Sequence, residues 1–92
     1  MTDAIKEVVI YSTNTCPYCV RAKELMKAKH IPYREIMLDK DPAKRIEMEL
    51  ITGKRSVPQI FIGEHHVGGF DDLKSLNETG HLDTLLSQNI NE

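Results

Sequence analysis

The sequence predicts an α/β fold: a mixed four-stranded sheet flanked by helices, in the order β-α-β-α-β-β-α with a short extra helix at the C-terminal end. Three observations predict it. A β-branched apolar run, Val8 to Tyr11, passes directly into a segment of helical periodicity. A second strand-like run follows that helix, and a β-α-β unit implies a parallel pair joined by a right-handed crossover. Two further short runs flank Gly63-Glu64, which marks an antiparallel hairpin.

Each element has a local reason. The first strand, Glu7 to Thr13, is the kind of continuous apolar run that suits burial on both faces. It meets Thr15-Cys16-Pro17-Tyr18-Cys19, where Pro17 fits the first turn of a helix and Thr15 is the expected N-cap. Cys19, Ala22, Leu25 and Met26 share one face of that helix, with Arg21, Lys23, Glu24 and Lys27 mainly on the other. The helix must stop before Ile31-Pro32, because a residue ahead of proline avoids the α region. Tyr33 to Leu38 is the second strand, and Asp41-Pro42 starts the second helix. Ala43, Ile46 and Leu50 lie along one face of it, and Gly53 is its stop. After the loop Lys54-Arg55-Ser56, Gln59 to Ile62 and His65 to Val67 form the hairpin. Asp71 and Asp72 favour the positive end of a helix whose buried stripe begins with Leu73 and Leu76. Leu82, Leu85 and Leu86 mark the last helix, and Gln88 to Glu92 is expected to fray.

The chain has 92 residues, enough for one domain, expected over 1–92 with its core at about 7–88. Apolar residues make up 40% and charged residues 28%, an ordinary globular profile. Twelve basic against 14 acidic residues, net −2, give no footprint for nucleic acid. No apolar run approaches the roughly 18 residues of a membrane span. Met1 to Glu7 is polar and does not read as a secretory signal, so the expectation is a cytoplasmic monomer with no membrane partner.

The two cysteines, Cys16 and Cys19, carry the chemical interest. A bond across two intervening residues constrains the unfolded chain very little, so reactivity explains the pair better than stability. Thiol–disulfide exchange needs a thiolate to attack sulfur and a second thiol to resolve the mixed disulfide. A cysteine at a helix N-terminus meets unpaired amide hydrogens and the positive dipole end, which favour its thiolate. Cys16 is thus the expected nucleophile and Cys19, one turn deeper, the resolving thiol. Two other readings stand beside this one. A C-x-x-C pair can be half of a zinc site, completed here only by His65 or His66, which point to opposite faces of a strand. Both cysteines can also be inert core thiols. No metal is expected, and the four histidines are assigned no role. Met26, Met37 and Met48 read as core filler.

Three motifs in order, Thr15-Cys16-Pro17-Tyr18-Cys19, Ser56-Val57-Pro58 and Gly68-Gly69-Phe70-Asp71-Asp72, resemble a dithiol glutaredoxin of the bacterial type with a CPYC active site. The resemblance spans about Val8 to Leu86. It implies a thioredoxin-like fold and a glutathione-dependent reductase of protein disulfides and glutathione mixed disulfides. Glutathione would be a co-substrate, with no tightly bound cofactor. The resemblance also implies roles for named residues. Thr15, Pro17, Tyr18 and Pro58 would support the active site, with a cis bond ahead of Pro58 presenting the backbone of Val57 to the tripeptide. Gly69, Phe70, Asp71 and Asp72 would hold its γ-glutamyl end at a helix N-terminus, and Arg45 would reach its glycine carboxylate. One position departs from the pattern: Thr13, followed by Asn14, stands where many members carry a lysine or arginine. The missing cation removes one source of thiolate stabilisation. Other functions in view are an iron–sulfur cluster-binding module, against which Pro17 argues, and a glutathione-independent electron donor to a protein such as ribonucleotide reductase.

Overall fold

A computed structural model describes residues 6–87. The elements are β1 (Val8–Ser12), α1 (Pro17–Ala28), β2 (Arg34–Met37), α2 (Pro42–Thr52), β3 (Gln59–Ile62), β4 (His65–Gly68), α3 (Phe70–Thr79) and α4 (His81–Leu86). A turn of 3₁₀-helix at Leu38–Lys40 links β2 to α2. This is the expected order, with the first and second strands each shorter by one residue at either end. The tail from Gln88 onward lies outside the described residues.

The sheet runs β2-β1-β3-β4. β1 pairs parallel with β2, Ile10 opposite Glu35, and antiparallel with β3, Ile10 opposite Ile60. β3 and β4 form the antiparallel hairpin, with an irregularity between Ile60 and Phe61. Alternation along β1 divides the core in two. Val8 and Ile10 face α1, α3 and α4, packing with Ala22, Met26, Ile60, Ile62, Leu73 and Leu82. Val9 and Tyr11 face the other way, toward Met48 of α2 and Phe61.

The face of α2 that Ala43, Ile46 and Leu50 share is turned to solvent. Ile46 and Leu50 are 61% and 82% exposed, Ala43 is exposed too, and Met48 is the buried residue. Positions 46 and 48 sit roughly 200° apart around a helix, so only one of the two stripes can face the sheet. Met48 packs with Tyr11, Leu38, Val57 and Phe61, while at the helix end Thr52 Oγ1 accepts from the Lys54 amide at 3.0 Å and Arg45 Nη1 donates to the Arg55 carbonyl at 2.9 Å. Gly53, at φ 72°, stops the helix in the left-handed conformation that glycine adopts without penalty. Of the three methionines read as filler, Met26 and Met48 are buried, while Met37 is half-buried beside Ser12.

Candidate active site

The end of β1 delivers Cys16 to the start of α1. Pro17 takes the first helical position, so the residue before it is held extended, at φ −96° and ψ 108°. That residue is Cys16, and it caps the helix: its Sγ accepts a hydrogen bond from the Cys19 amide at 3.1 Å. The expectation that Thr15 caps the helix is therefore corrected; Thr15 lies one residue outside it and is exposed. Cys16 Sγ also donates to the Val57 carbonyl at 3.6 Å. The Val57–Pro58 bond is cis. Pro58 is buried, and its carbonyl lies close beneath Gly69.

Three residues on, the environment inverts. Cys19 is fully buried and both cysteines are free thiols. Burial pushes the Cys19 thiol up to about 12, and its hydrogen bond to Cys16 adds to the effect, while a backbone contact with Thr13 works the other way. One accessible and one sealed thiol, a helical turn apart, form a pair able to cycle between dithiol and disulfide.

Beside Cys16 runs an open groove of about 210 Å³, lined by Tyr18, Val57, Gly69, Phe70 and Asp71. Tyr18 is 53% exposed, stacks on Phe70 at 6.3 Å between ring centroids, and carries the Arg21 guanidinium over its ring at 5.6 Å. The floor is the N-terminus of α3. Asp72 accepts from the Gly69 amide at 3.0 Å, a helix-start bond that commits its carboxylate to the fold. Gly68, at φ 116°, packs so closely on Asp72 that a β-carbon there would overlap the carboxylate. Asp71 is exposed and faces the groove.

The structure thus brings Cys16, Tyr18, Val57, Pro58, Gly69, Phe70 and Asp71 together. Arg45 is not among the residues lining the groove; its guanidinium is bonded to the Arg55 carbonyl. His66 shares a 2.7 Å hydrogen bond with Gln59 and stacks on Phe61 at 4.9 Å. Burial and then the Lys54 charge hold it below the usual imidazole range. Among the described residues, no three potential metal-ligating side chains come together, and no helix is long and apolar enough to cross a membrane.

Two features escape a reading of the sequence alone. Gln59 is 2% exposed, and its Nε2 donates to the Ser56 carbonyl at 3.0 Å, bracing the loop on both sides of Val57–Pro58. A polar residue opening an apolar strand directly after a proline is its signal. The second is a polar cluster of Ser12, Lys23 and Glu35 under α1. Its signal is a serine closing an apolar strand.

Residues 8–67 match the family model for glutaredoxin. A glutaredoxin of Pseudomonas aeruginosa is 52% identical over 80 residues, spanning 87% of this chain and 95% of the relative. A solution structure of glutaredoxin from Brucella melitensis superposes with a TM-score of 0.82 at 43% identity, covering 97% of both chains. A buckwheat glutaredoxin–glutathione complex superposes with a TM-score of 0.81 at 32% identity, over 91% of this chain and 78% of that one.

Proposed function

This chain belongs to the glutaredoxin family of thiol–disulfide oxidoreductases, and on that premise we propose that it uses glutathione to reduce glutathionylated proteins and protein disulfides, with Cys16 as nucleophile and Cys19 as resolving thiol. The observation that carries this reading is the groove beside Cys16, bounded by Val57 on one side and the α3 N-terminus on the other. Cys16 attacks the target sulfur and takes on either glutathione or the protein in a mixed disulfide. A second glutathione, or Cys19, then releases it.

The groove suits the tripeptide in named parts. The backbone of Val57 pairs with its cysteine, and the ring of Tyr18 covers it. The α3 amides meet the γ-glutamyl carboxylate. Asp71, whose carboxylate is exposed, accepts from the ammonium; Asp72 serves by holding Gly69 in place. Arg45 reaches the glycine carboxylate only after leaving the Arg55 carbonyl. The similarity to a glutaredoxin captured with glutathione supports this assignment. Glutaredoxin couples lie at about −200 to −230 mV, near the glutathione pool, so supply sets the direction.

A coupled assay on a glutathione mixed disulfide tests the reading. Cys16→Ser is expected to fall to background, a loss of at least about 100-fold, because the nucleophile of a covalent route has no substitute. Cys19→Ser is expected to keep this activity and to lose reduction of protein disulfides. Activity in Cys16→Ser would overturn the proposal.

A further inference from the structure

Cys19 has a difficulty the groove does not solve. To resolve a mixed disulfide it must carry negative charge on sulfur, yet it is sealed from water. The Ser12–Lys23–Glu35 cluster lies on the same side of α1. Lys23 follows Cys19 by four residues, which sets their β-carbons roughly 5–6 Å apart on one helix face. Its Nζ donates to Glu35 Oε2 of β2 at 2.8 Å, with both side chains about three-quarters buried. Ser12 is fully buried and donates to the same oxygen at 2.5 Å, with Met37 sulfur at 3.3 Å. Three polar groups are thus concentrated where the sequence pattern expects Lys23 to face solvent.

We propose that Lys23, anchored by Glu35 and Ser12, is a positioning residue for the second half-reaction, its ammonium acting as the counter-charge for negative charge developing on Cys19. The inference rests on the assignment of Cys16 and Cys19 given above and extends it. Burial is the largest influence on the Cys19 thiol and raises it; the Lys23 charge acts the other way, more weakly, and the hydrogen bond to Glu35 leads the effects that hold the Lys23 ammonium above its usual range. Burial disfavours the Glu35 carboxylate, but bonds from Lys23 and Ser12 overcome this and hold it below its usual range. Lys23 is therefore a fixed cation and not a proton acceptor. In the step it serves, Cys19 sulfur attacks Cys16 sulfur. The bond between Cys16 and glutathione breaks and the Cys16–Cys19 bond forms. The glutathione sulfur departs with the electron pair and is protonated through solvent by the proton that Cys19 gives up.

Mixing the reduced protein with glutathione disulfide, quenching and weighing the products resolves two phases: gain of glutathione on Cys16, then its loss as the internal disulfide forms. Lys23→Met is expected to slow the second phase about tenfold, the size of a partly offset charge interaction at this range, and to leave the first unchanged. Lys23→Arg is expected to restore it. Glu35→Gln keeps the cation and an oxygen that can still accept from it while removing the opposing charge, so its second phase is expected to match or exceed the wild-type rate. A wild-type second phase in Lys23→Met, or equal slowing in Glu35→Gln, would overturn the inference. If Lys23→Met does not fold, Lys23→Gln, which removes the charge but can still donate to Glu35, takes its place with the same two outcomes. Absence of a Cys16 adduct in every protein would instead mark failure of the underlying assignment.

Discussion

Cys16 and Cys19 are one helical turn apart, yet they occupy opposite environments. Cys16 borders an open groove and caps a helix with its sulfur; Cys19 is sealed in the layer that continues into Ala22 and Met26. The contrast teaches that a short motif needs two different surroundings. Pro17 creates the first by holding Cys16 outside the helix, and the apolar stripe of α1 creates the second.

The sharpest way to break this comparison is selective alkylation. At about pH 8, iodoacetamide is expected to modify Cys16 of the reduced protein at least ~100 times faster than Cys19, which reacts only when the chain opens. Comparable rates, read by peptide mass mapping, would erase the distinction.

Next in size are substitutions beneath and beside the pair. Met26 is 1% exposed, and Met26→Ala is expected to cost about 2–5 kcal/mol and to speed Cys19 alkylation. Tyr18→Ala, on the groove side, is expected to cost under about 1.5 kcal/mol, the worth of an aromatic pair, while raising KM for glutathione. Urea unfolding and steady-state kinetics check both.

The effect that is smallest near neutral pH, and grows above it, is alkaline. Cys19 is held near 12 in the fold against about 8.5 in an unfolded chain, so above the lower value the unfolded chain releases a proton that the fold retains. Its contribution to stability is whole below about pH 8.5 and declines as pH rises toward 12. Urea midpoints measured under reductant should therefore fall more steeply with pH in the wild type than in Cys19→Ala.

Much of this was legible in the residues. The strands and helices follow from periodicity and from Pro17, Pro32 and Gly53, and the joint presence of three motifs pointed to the groove. The misses share a cause. α2 carries two candidate stripes, and the burial of Met48 in place of Ile46 and Leu50 comes with its packing on Tyr11, Leu38 and Phe61, which periodicity does not encode. The charge pattern sends Lys23 to solvent, but charge alone is a poor guide where Glu35 arrives from a strand 12 residues away. The pattern favours Thr15 as the cap because hydroxyls usually cap, whereas here a sulfur does.

The most direct measurement of the unequal pair is the site of glutathione attachment. Each serine variant is reacted with glutathione disulfide and its peptides are weighed. Cys19→Ser is expected to hold one glutathione on Cys16, and Cys16→Ser to stay unmodified. A stable adduct on Cys19 of Cys16→Ser, formed as fast as that on Cys16, would contradict the account.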